Sequence, residues 1–366
     1  MPIFSRLRHF DWPLFLAVLC LTGIGLAVIY STSLASGGQG ADANFGNFRK
    51  QLLFAGAGIA VALLTAAANY RALSPLARFG YAAAAVMLIA VLAFGKTVKG
   101  TTGWFGIAGL GVQPVELVKL FMIVFLAKFL AARARSMRGA GALLATGSAV
   151  GISAGLVLMQ PDFGSAFLVL SVWFVMLVIS GVRRTHLLVM ALLFVATAAL
   201  AWGFALKPYQ RDRIAVFLDP GRDPSGRGYQ VTQSIIAVGS GGIAGKGLGF
   251  GSQSQLRFLP ERQTDFLFAA LAEELGFVGV VLVLGLFGLF FYRGYGLAVS
   301  ARDDFTLFLV VGILVSFAVE VTVNIGGTLG LLPITGIALP FLSYGGSSLL
   351  TKFLMVGLLE SVAVRR

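Results

Sequence analysis

The sequence offers very little cysteine or histidine chemistry. Its 366 residues include one cysteine, Cys20, and two histidines, His9 and His186. A single cysteine excludes an intramolecular disulfide and a metal site built from several cysteines. Both histidines stand close to arginines in short segments between apolar runs, so we do not expect a histidine-based metal site or catalytic triad.

Charged residues are also scarce, at 12%, whereas 58% of the residues are hydrophobic. Several apolar runs reach the ~20 residues that a helix needs to cross a bilayer. Helices in lipid satisfy their own backbone groups, which favours a helical bundle. The formal net charge of +13 would favour a nucleic-acid partner in a soluble protein. Here the basic residues lie in short loops between apolar runs, and we expect no nucleic-acid partner.

The apolar runs predict an all-α fold, a polytopic membrane helical bundle with about ten transmembrane helices and one large extracytoplasmic loop. We treat residues 1–366 as a single integral-membrane domain. The first run is longer than the core of a signal peptide and is predicted to be a retained helix. No internal repeat or broken helix of the transporter kind is evident. The predicted spans are 12–31, 51–68, 76–95, 114–131, 142–160, 164–181, 187–206, 265–292, 304–326 and 346–364.

The basic residues of the short loops predict the orientation. One side carries Arg6, Arg8, Arg71, Arg78, Arg133, Arg135, Arg138, Arg183, Arg184, Arg293, Arg302, Arg365 and Arg366, and the other carries Arg49, Lys50, Lys96 and Lys99. Because positive charge accumulates in cytoplasmic loops, the richer side is predicted to be cytoplasmic. Both termini are then cytoplasmic, and the long loop at about 207–264 faces outward.

The outward loop contains a predicted short amphipathic helix at 228–238, where apolar residues recur at helical spacing. Seven glycines follow between Gly239 and Gly251, and a backbone of this kind can approach a ligand closely. Lys246 in this stretch and Arg211 near the start of the loop are candidate contacts for an anionic substrate.

The stretch FLPERQTDFLFAALAEELG at 258–276 brings a polar run to the start of an apolar helix. A carboxylate there, Asp265, would stand at a water–membrane boundary and could act in acid–base chemistry on a lipid-linked substrate. The alternative is that Thr264 or Asp265 only caps the helix, since short side-chain oxygens accept its free N–H groups.

Ionisable residues inside the spans are costly and mark functional sites by default. Glu116 and Lys119 are three residues apart, so they share a helix face and can pair. They form either a charged cavity wall, with Lys119 against phosphate, or a structural ion pair. Glu273, Glu274, Glu320 and Lys352 are predicted to pair across helices.

Two outward turns supply further candidates. Asp162 either caps the sixth span or faces the cavity. Ser343 belongs to the last outward loop, whose hydroxyls could contact a sugar.

Six motifs in order resemble the SEDS family, named for shape, elongation, division and sporulation: FDWPLF at 10–15, QPVELVK at 113–119, QPDFGSA at 160–166, GYQVTQSIIAVGSGGIAGKG at 228–247, FLPERQTDFLFAALAEELG at 258–276 and LPITGIALPFLSYGGSS at 332–348. The resemblance covers essentially the whole chain. The short N-terminal segment and the LAEELG form favour the elongation members of the family over the division members.

The resemblance implies a ten-span peptidoglycan glycosyltransferase. It would polymerise lipid II at the outer face of the bacterial cytoplasmic (inner) membrane, next to a class B penicillin-binding protein (transpeptidase). Asp265 matches the family's essential aspartate, and Glu116 and Lys119 match its functional pair. The chain departs from the family at Val115, which replaces a serine, and at Gln263, which replaces a histidine. Gln263 cannot titrate beside Asp265.

The implied chemistry is an inverting transfer. Asp265 would take the proton of an acceptor hydroxyl, which contributes about 10²–10⁴-fold to such reactions. Lys119, Arg49, Arg211 and a divalent cation, Mg²⁺ or Mn²⁺, are candidates to meet the charge of the departing pyrophosphate. Two alternatives stay open, a lipid II transporter and a non-catalytic scaffold of the cell-wall synthesis complex.

Overall fold

The computed structural model describes residues 9–34, 44–98, 101–107, 110–133, 140–200, 203 and 208–366. The basic residues Arg6, Arg8, Lys99, Arg135 and Arg138, on which the predicted orientation partly rests, lie outside these residues. Helices dominate, and each of the ten predicted spans overlaps a helix.

The helices of the first two thirds are α1 (Trp12–Leu34), α2 (Gly46–Ala67), α3 (Leu73–Phe94), α4 (Pro114–Arg133), α5 (Ala140–Met159), α6 (Phe163–Ile179) and α7 (Arg184–Leu200). The outward loop holds α8 (Pro208–Leu218), α9 (Arg227–Ser240) and α10 (Ser252–Gln255). The last helices are α11 (Leu267–Val299), α12 (Asp304–Thr328) and α13 (Gly346–Arg365), and short 3₁₀ helices lie at Tyr70–Ala72 and Pro220–Arg222.

Seven helices of the described residues are long and apolar enough to cross a membrane: those within Trp12–Leu34, Gly46–Ala67, Tyr70–Phe94, Gly141–Met159, Leu267–Val299, Asp304–Thr328 and Gly346–Arg365. Phe163–Ile179 and Arg184–Phe194 are shorter apolar helices. Helix α4 has 20 residues and includes Glu116, Lys119, Lys128 and Arg133. These charges interrupt an otherwise apolar helix, and the first two of them are buried.

A three-stranded antiparallel sheet was not predicted. Its strands are β1 (Lys96–Val98), β2 (Thr101–Ile107) and β3 (Leu110–Val112), in the order β1-β2-β3. Phe105 lies opposite Val112, and Gly106 opposite Gly111. The sheet joins α3 to α4 and thereby places β2 beside the start of α4.

The core of the bundle is apolar and aromatic. Helix α13 packs along α2, α12 packs on α4, and α11 packs on α1. Phe317 stacks on Phe341 with ring centroids 5.3 Å apart. Phe290 meets both rings edge-on, and Phe353 meets Phe341 edge-on. These rings bury large apolar areas, which holds the later helices together.

Helix α11 is broken at Gly276, and the sequence did not predict this break. Gly276 has φ 66° and ψ −166°, outside the helical region. The glycine-rich loop satisfies the backbone groups freed by the break. Lys246 N donates to Glu273 O at 3.0 Å, and Phe277 N donates to Gly242 O at 2.9 Å. Irregular backbone at membrane depth requires such partners.

Candidate active site

A cavity of about 680 Å³ lies where the starts of α4, α6 and α13 meet the turn before α11. Both charged regions that the sequence singled out line it, since Asp265, Glu116 and Lys119 are all part of its wall. Strand β2 contributes Trp104, and α2 contributes Lys50. A cavity of this size, lined by apolar surface together with charged groups, can hold part of a large amphipathic substrate.

Asp265 lies in the turn just before α11. The helix begins at Leu267, and Phe266 occupies the N-cap position. The prediction that Thr264 or Asp265 occupies that position was therefore wrong, because the helix starts later than the polar run suggests. The Thr264 hydroxyl donates to the Glu261 carboxylate at 3.0 Å.

The backbone on both sides of Asp265 is fixed by neighbouring segments. Asn324 Nδ2 donates to Asp265 O at 3.1 Å and to Ile337 O at 2.8 Å. Ser343 Oγ donates to Thr264 O at 2.6 Å. The Asp265 carboxylate thus stands on a rigid turn and lines the cavity, as a general base requires.

Four charged side chains form a buried cluster in the cavity wall: Glu116, Lys119, Glu320 and Lys352, which are 6%, 4%, 1% and 3% exposed. Lys119 Nζ donates to Glu116 Oε1 at 2.8 Å and to Glu320 Oε1 at 3.2 Å. Lys352 Nζ donates to Glu116 Oε2 at 3.2 Å and to Glu320 Oε1 at 2.9 Å. The predicted pairing of Glu116 with Lys119 is confirmed, and helices α12 and α13 complete it.

We call these four residues the charged quartet. Its two carboxylates and two ammonium groups carry equal and opposite charge. Their mutual attraction offsets part of the free-energy cost of burying four charges. All four line the cavity, so the quartet is both an ion-pair network between helices and part of the wall. The pair is therefore both an ion pair and part of the cavity wall, whereas the predicted contact of Lys119 with phosphate stays a prediction.

Asp162 likewise combines two roles. It occupies the N-cap position of α6, where its Oδ1 accepts from Ser165 N at 2.9 Å. It also lines the cavity, and Gln113 Nε2 approaches its Oδ2 at 3.5 Å. Both predicted placements are confirmed.

Sequence reasoning missed Lys50 and Arg227. Both line the cavity, and within the described part of the chain neither side chain is engaged in a hydrogen bond or ion pair. Lys50 is one of the few basic residues on the side predicted to face outward. Arg227 begins α9, immediately before the GYQVTQ motif, which was the available signal.

Other predicted site residues lie elsewhere. Arg49 is exposed and is not part of the cavity wall. Arg211 Nη2 donates to Gly203 O at 3.1 Å, also away from the cavity. Lys246 Nζ pairs with Glu273 Oε1 at 2.8 Å and holds the glycine-rich loop. Ser343 is buried, with its hydroxyl bonded to backbone, whereas Tyr344, Gly345 and Gly346 after it line the cavity.

The Gln263 amide anchors the turn to the first two helices. Its Oε1 accepts from Asn47 Nδ2 at 2.7 Å, and its Nε2 donates to Ser33 Oγ at 3.2 Å and Thr32 Oγ1 at 3.3 Å. This position is therefore used for structure and supplies no titrating partner for Asp265.

Comparison with known families decides the identity. A family model described as cell cycle protein, for FtsW, RodA and SpoVE, matches residues 12–366. The chain belongs to the FtsW/RodA/SpoVE family. This confirms the SEDS resemblance, and the protein is a multi-pass helical membrane protein of that family.

Relatives of the FtsW/RodA/SpoVE family align over almost the whole chain. Stage V sporulation protein E of Bacillus subtilis is 38% identical over 357 residues, covering 96% of each chain. Peptidoglycan glycosyltransferase MrdB of Escherichia coli is 35% identical over 360 residues, covering 98% of this chain and 94% of MrdB. A chain of a solved peptidoglycan synthase complex, described as coordinating polymerisation and crosslinking, matches with TM-score 0.79 and 33% identity over 97% of each chain.

Proposed function

We propose that this protein is a peptidoglycan glycosyltransferase that polymerises lipid II into glycan strands. One observation carries the proposal: Asp265 and the charged quartet, which are far apart in the sequence, line a single cavity of about 680 Å³. The chain's likeness to proteins named as peptidoglycan glycosyltransferases supports the same activity.

The reaction joins two sugars. The 4-hydroxyl oxygen of the acceptor attacks the anomeric carbon of the donor, and the bond from that carbon to the pyrophosphate oxygen breaks. Asp265 accepts the hydroxyl proton as the new bond forms. Displacement on the opposite face inverts the configuration, so an α-linked donor gives a β-linked strand.

The departing pyrophosphate needs cationic partners. Lys119 and Lys352 are each held by two carboxylates, so their charge is already largely balanced. Lys50 and Arg227 on the same wall are better placed to meet a new anion. The quartet then acts mainly by holding α4, α12 and α13 in position around the substrate.

A divalent cation is part of the proposal. Among the described residues, no three histidine, cysteine or acidic side chains come together as a metal cage. Mg²⁺ is commonly held by one or two carboxylates together with substrate phosphates. Glu261 and Asp162 on the cavity wall are the residues that would hold it, and its chemistry would be neutralisation of pyrophosphate charge.

We propose the bacterial inner membrane as the location, with both termini in the cytoplasm and the cavity open to the outer face. The loop charges predict this orientation. We further propose a class B penicillin-binding protein as partner and cell elongation as the process. Rescue of rod shape in a strain depleted of its elongation polymerase would test the process, whereas rescue of division alone would contradict it.

The test of the activity is glycan synthesis from purified lipid II by the reconstituted protein with its partner. Asp265→Asn should lower the rate by about 10²–10⁴-fold, since the amide cannot accept the proton. Asp219→Asn is the matched control, because Asp219 lies in the same outward loop and is 60% exposed beside Arg222. Full activity of Asp265→Asn in a folded protein would contradict the assigned role.

A lipid II transporter is the second candidate, and the break at Gly276 is the observation that favours it. The freed backbone groups there bond to the glycine-rich loop, and Gly276 is not among the residues that line the 680 Å³ cavity of Asp265, which favours the polymerase. Movement of lipid II across protein-containing vesicles in the absence of the partner would support the transporter.

A further inference from the structure

A second cavity of about 420 Å³ adjoins the first. Glu261, Thr264 and Tyr344 line both cavities, so the turn that carries Asp265 separates them. Arg257 and Arg262 line only the second cavity. The charged lining residues are these two arginines and Glu261, which leaves an excess of positive charge.

Arg262 is the unusual member of this lining. It is half-buried, and no hydrogen bond or ion pair joins its guanidinium to any residue of the described chain. Burial lowers the pKa of Arg262, and the charge of Arg257 lowers that pKa further, while Glu274 acts in the opposite direction. A partly desolvated cation without a close partner is costly unless a ligand supplies the opposite charge.

The segment that presents the arginines is held in a fixed shape. Arg257 and Glu261 have φ of 63° and 52°, in the left-handed region that non-glycine residues seldom adopt. Leu259 between them is 1% exposed, and its N–H donates to Gln253 O at 3.0 Å. Strained residues that the surroundings hold in place are concentrated at ligand sites.

We propose that this second cavity is an anion-binding site that takes a phosphate or pyrophosphate ester, separate from the cavity of Asp265. The planar guanidinium of Arg262 can form two parallel hydrogen bonds to phosphate oxygens, and Arg257 adds a second positive charge. The ester is either the headgroup of an anionic lipid or the pyrophosphate of a polyprenyl substrate. Anion binding is inferred from the geometry of this cavity alone, and only the assignment of a polyprenyl substrate rests on the proposed polymerase activity.

The test is binding of inorganic pyrophosphate to the full chain in phosphatidylcholine nanodiscs, measured by calorimetry. Loss of a charge-assisted hydrogen bond costs about 1.5–3 kcal/mol, so Arg262→Gln should weaken binding by about tenfold or more. Arg262→Lys should be intermediate because it keeps the charge without the paired geometry. Arg222→Gln, an exposed arginine 65% accessible beside Asp219, should bind as the wild type does.

Pyrophosphate can also bind in the first cavity, whose wall includes Lys50. The variant Lys50→Gln therefore distinguishes binding in the first cavity from binding in the second. Binding that falls in Lys50→Gln but is unchanged in Arg262→Gln would overturn the proposal, as would absence of binding to the wild type at millimolar pyrophosphate. Should Arg262→Gln fold poorly, Arg257→Gln replaces it, since Arg257 is exposed. Arg257→Gln should weaken pyrophosphate binding several-fold, and an affinity equal to that of the wild type would overturn the proposal.

A second arm distinguishes the sources of the ester. Adding phosphatidylglycerol to the nanodiscs should weaken pyrophosphate binding to the wild type, but not the residual binding of Arg262→Gln, if a lipid headgroup fills the site. If phosphatidylglycerol has no effect while Arg262→Gln still weakens pyrophosphate binding, the site takes a substrate pyrophosphate. If phosphatidylglycerol weakens pyrophosphate binding equally in the wild type and in Arg262→Gln, the anion binds outside the second cavity and the proposal is overturned.

Discussion

The protein buries two groups of carboxylates that differ in what surrounds them. Glu116 and Glu320 belong to the charged quartet, are paired with two lysines and line the cavity. Glu273 and Glu274 lie beside the break in α11, under the glycine-rich loop, and line neither of the two cavities. Buried carboxylates are unusual in a sequence with 58% hydrophobic residues, and this holds for both groups.

The loop carboxylates are bound mainly by neutral donors. Glu273 Oε1 accepts from Gln253 N at 2.9 Å and Lys246 Nζ at 2.8 Å, and its Oε2 accepts from Ser254 N at 2.9 Å. Glu274 Oε1 accepts from the Ser31 hydroxyl at 2.7 Å. Burial and charge are therefore not sufficient to indicate a substrate site, and the decisive difference is whether the charged group faces a cavity or a loop of the same chain.

The largest expected effect comes from unbalancing the quartet. Lys119→Met should destabilise the protein by about 3–5 kcal/mol, because it leaves buried carboxylates without one cation. Thermal unfolding in detergent would measure this. The matched control adds Glu116→Gln, which restores the balance and leaves Lys352 with Glu320. Single and double variants of equal stability would show that the charges do not act as one network.

The glycine-rich loop should depend on Glu273 more than on Glu274. Glu273→Gln keeps only one of the two acceptor oxygens and loses the ion pair with Lys246, so at least one donor of the loop would face an amide NH2 group, which we expect to cost about 1.5–3 kcal/mol. Glu274→Gln keeps an oxygen for Ser31, and Oε2 of Glu274 has no hydrogen-bond partner in the described structure, so its cost should be smaller. Both variants should polymerise lipid II at a permissive temperature. Loss of polymerisation by a stable Glu273→Gln protein would contradict the claim that only the cavity-facing carboxylates belong to the substrate site.

The break in α11 should require glycine. A Cβ at Gly276 would clash with Gly245 N, and φ is +66°, so Gly276→Ala should cost about 1–3 kcal/mol. A Cβ at Gly285 in the same helix would meet no atom within 4 Å. Gly285→Ala should therefore be neutral or stabilising by about 0.5–1 kcal/mol. Comparable unfolding temperatures for the two variants would contradict the assigned geometry.

The spans and the Glu116–Lys119 pair could be predicted because they depend on local spacing alone. A run of about 20 apolar residues specifies a membrane helix, and a three-residue spacing specifies one helix face. The partners Glu320 and Lys352 could not be assigned, because they reach the quartet through packing of distant helices. Arg49 and Lys50 show the same limit, since neighbours on a helix point about 100° apart and only packing decides which one faces the cavity.

Two features lacked a clear local signal. The residues of β1 to β3 are rich in glycine and threonine, and their alternation is too weak to separate short strands from a loop. Gly276 is one of 47 glycines, and nothing in its neighbourhood distinguishes a helix break from an ordinary membrane-helix glycine. The break becomes visible only with the loop that supplies its hydrogen bonds.

The smallest expected effect lies outside both groups, at the exposed start of α12. Asp303 caps this helix, accepting from Thr306 N at 2.8 Å and pairing with Arg71 at 2.9 Å. Partial burial opposes ionisation, but the Thr306 hydrogen bonds and the Arg71 charge outweigh it and lower the pKa of Asp303. A lowered folded-state pKa stabilises the protein above the unfolded value of about 3.9 and loses that contribution as the pH falls further.

Asp303→Asn should remove this contribution while keeping the cap, since asparagine also caps helices well. The pair is exposed, with 56% and 40% of its side chains accessible, so the loss at neutral pH should be no more than about 1 kcal/mol. Between about pH 5 and pH 3, the unfolding temperature of the wild type should converge on that of Asp303→Asn. A constant difference between wild type and Asp303→Asn across this range would mean that the cap, and not the charge, stabilises α12.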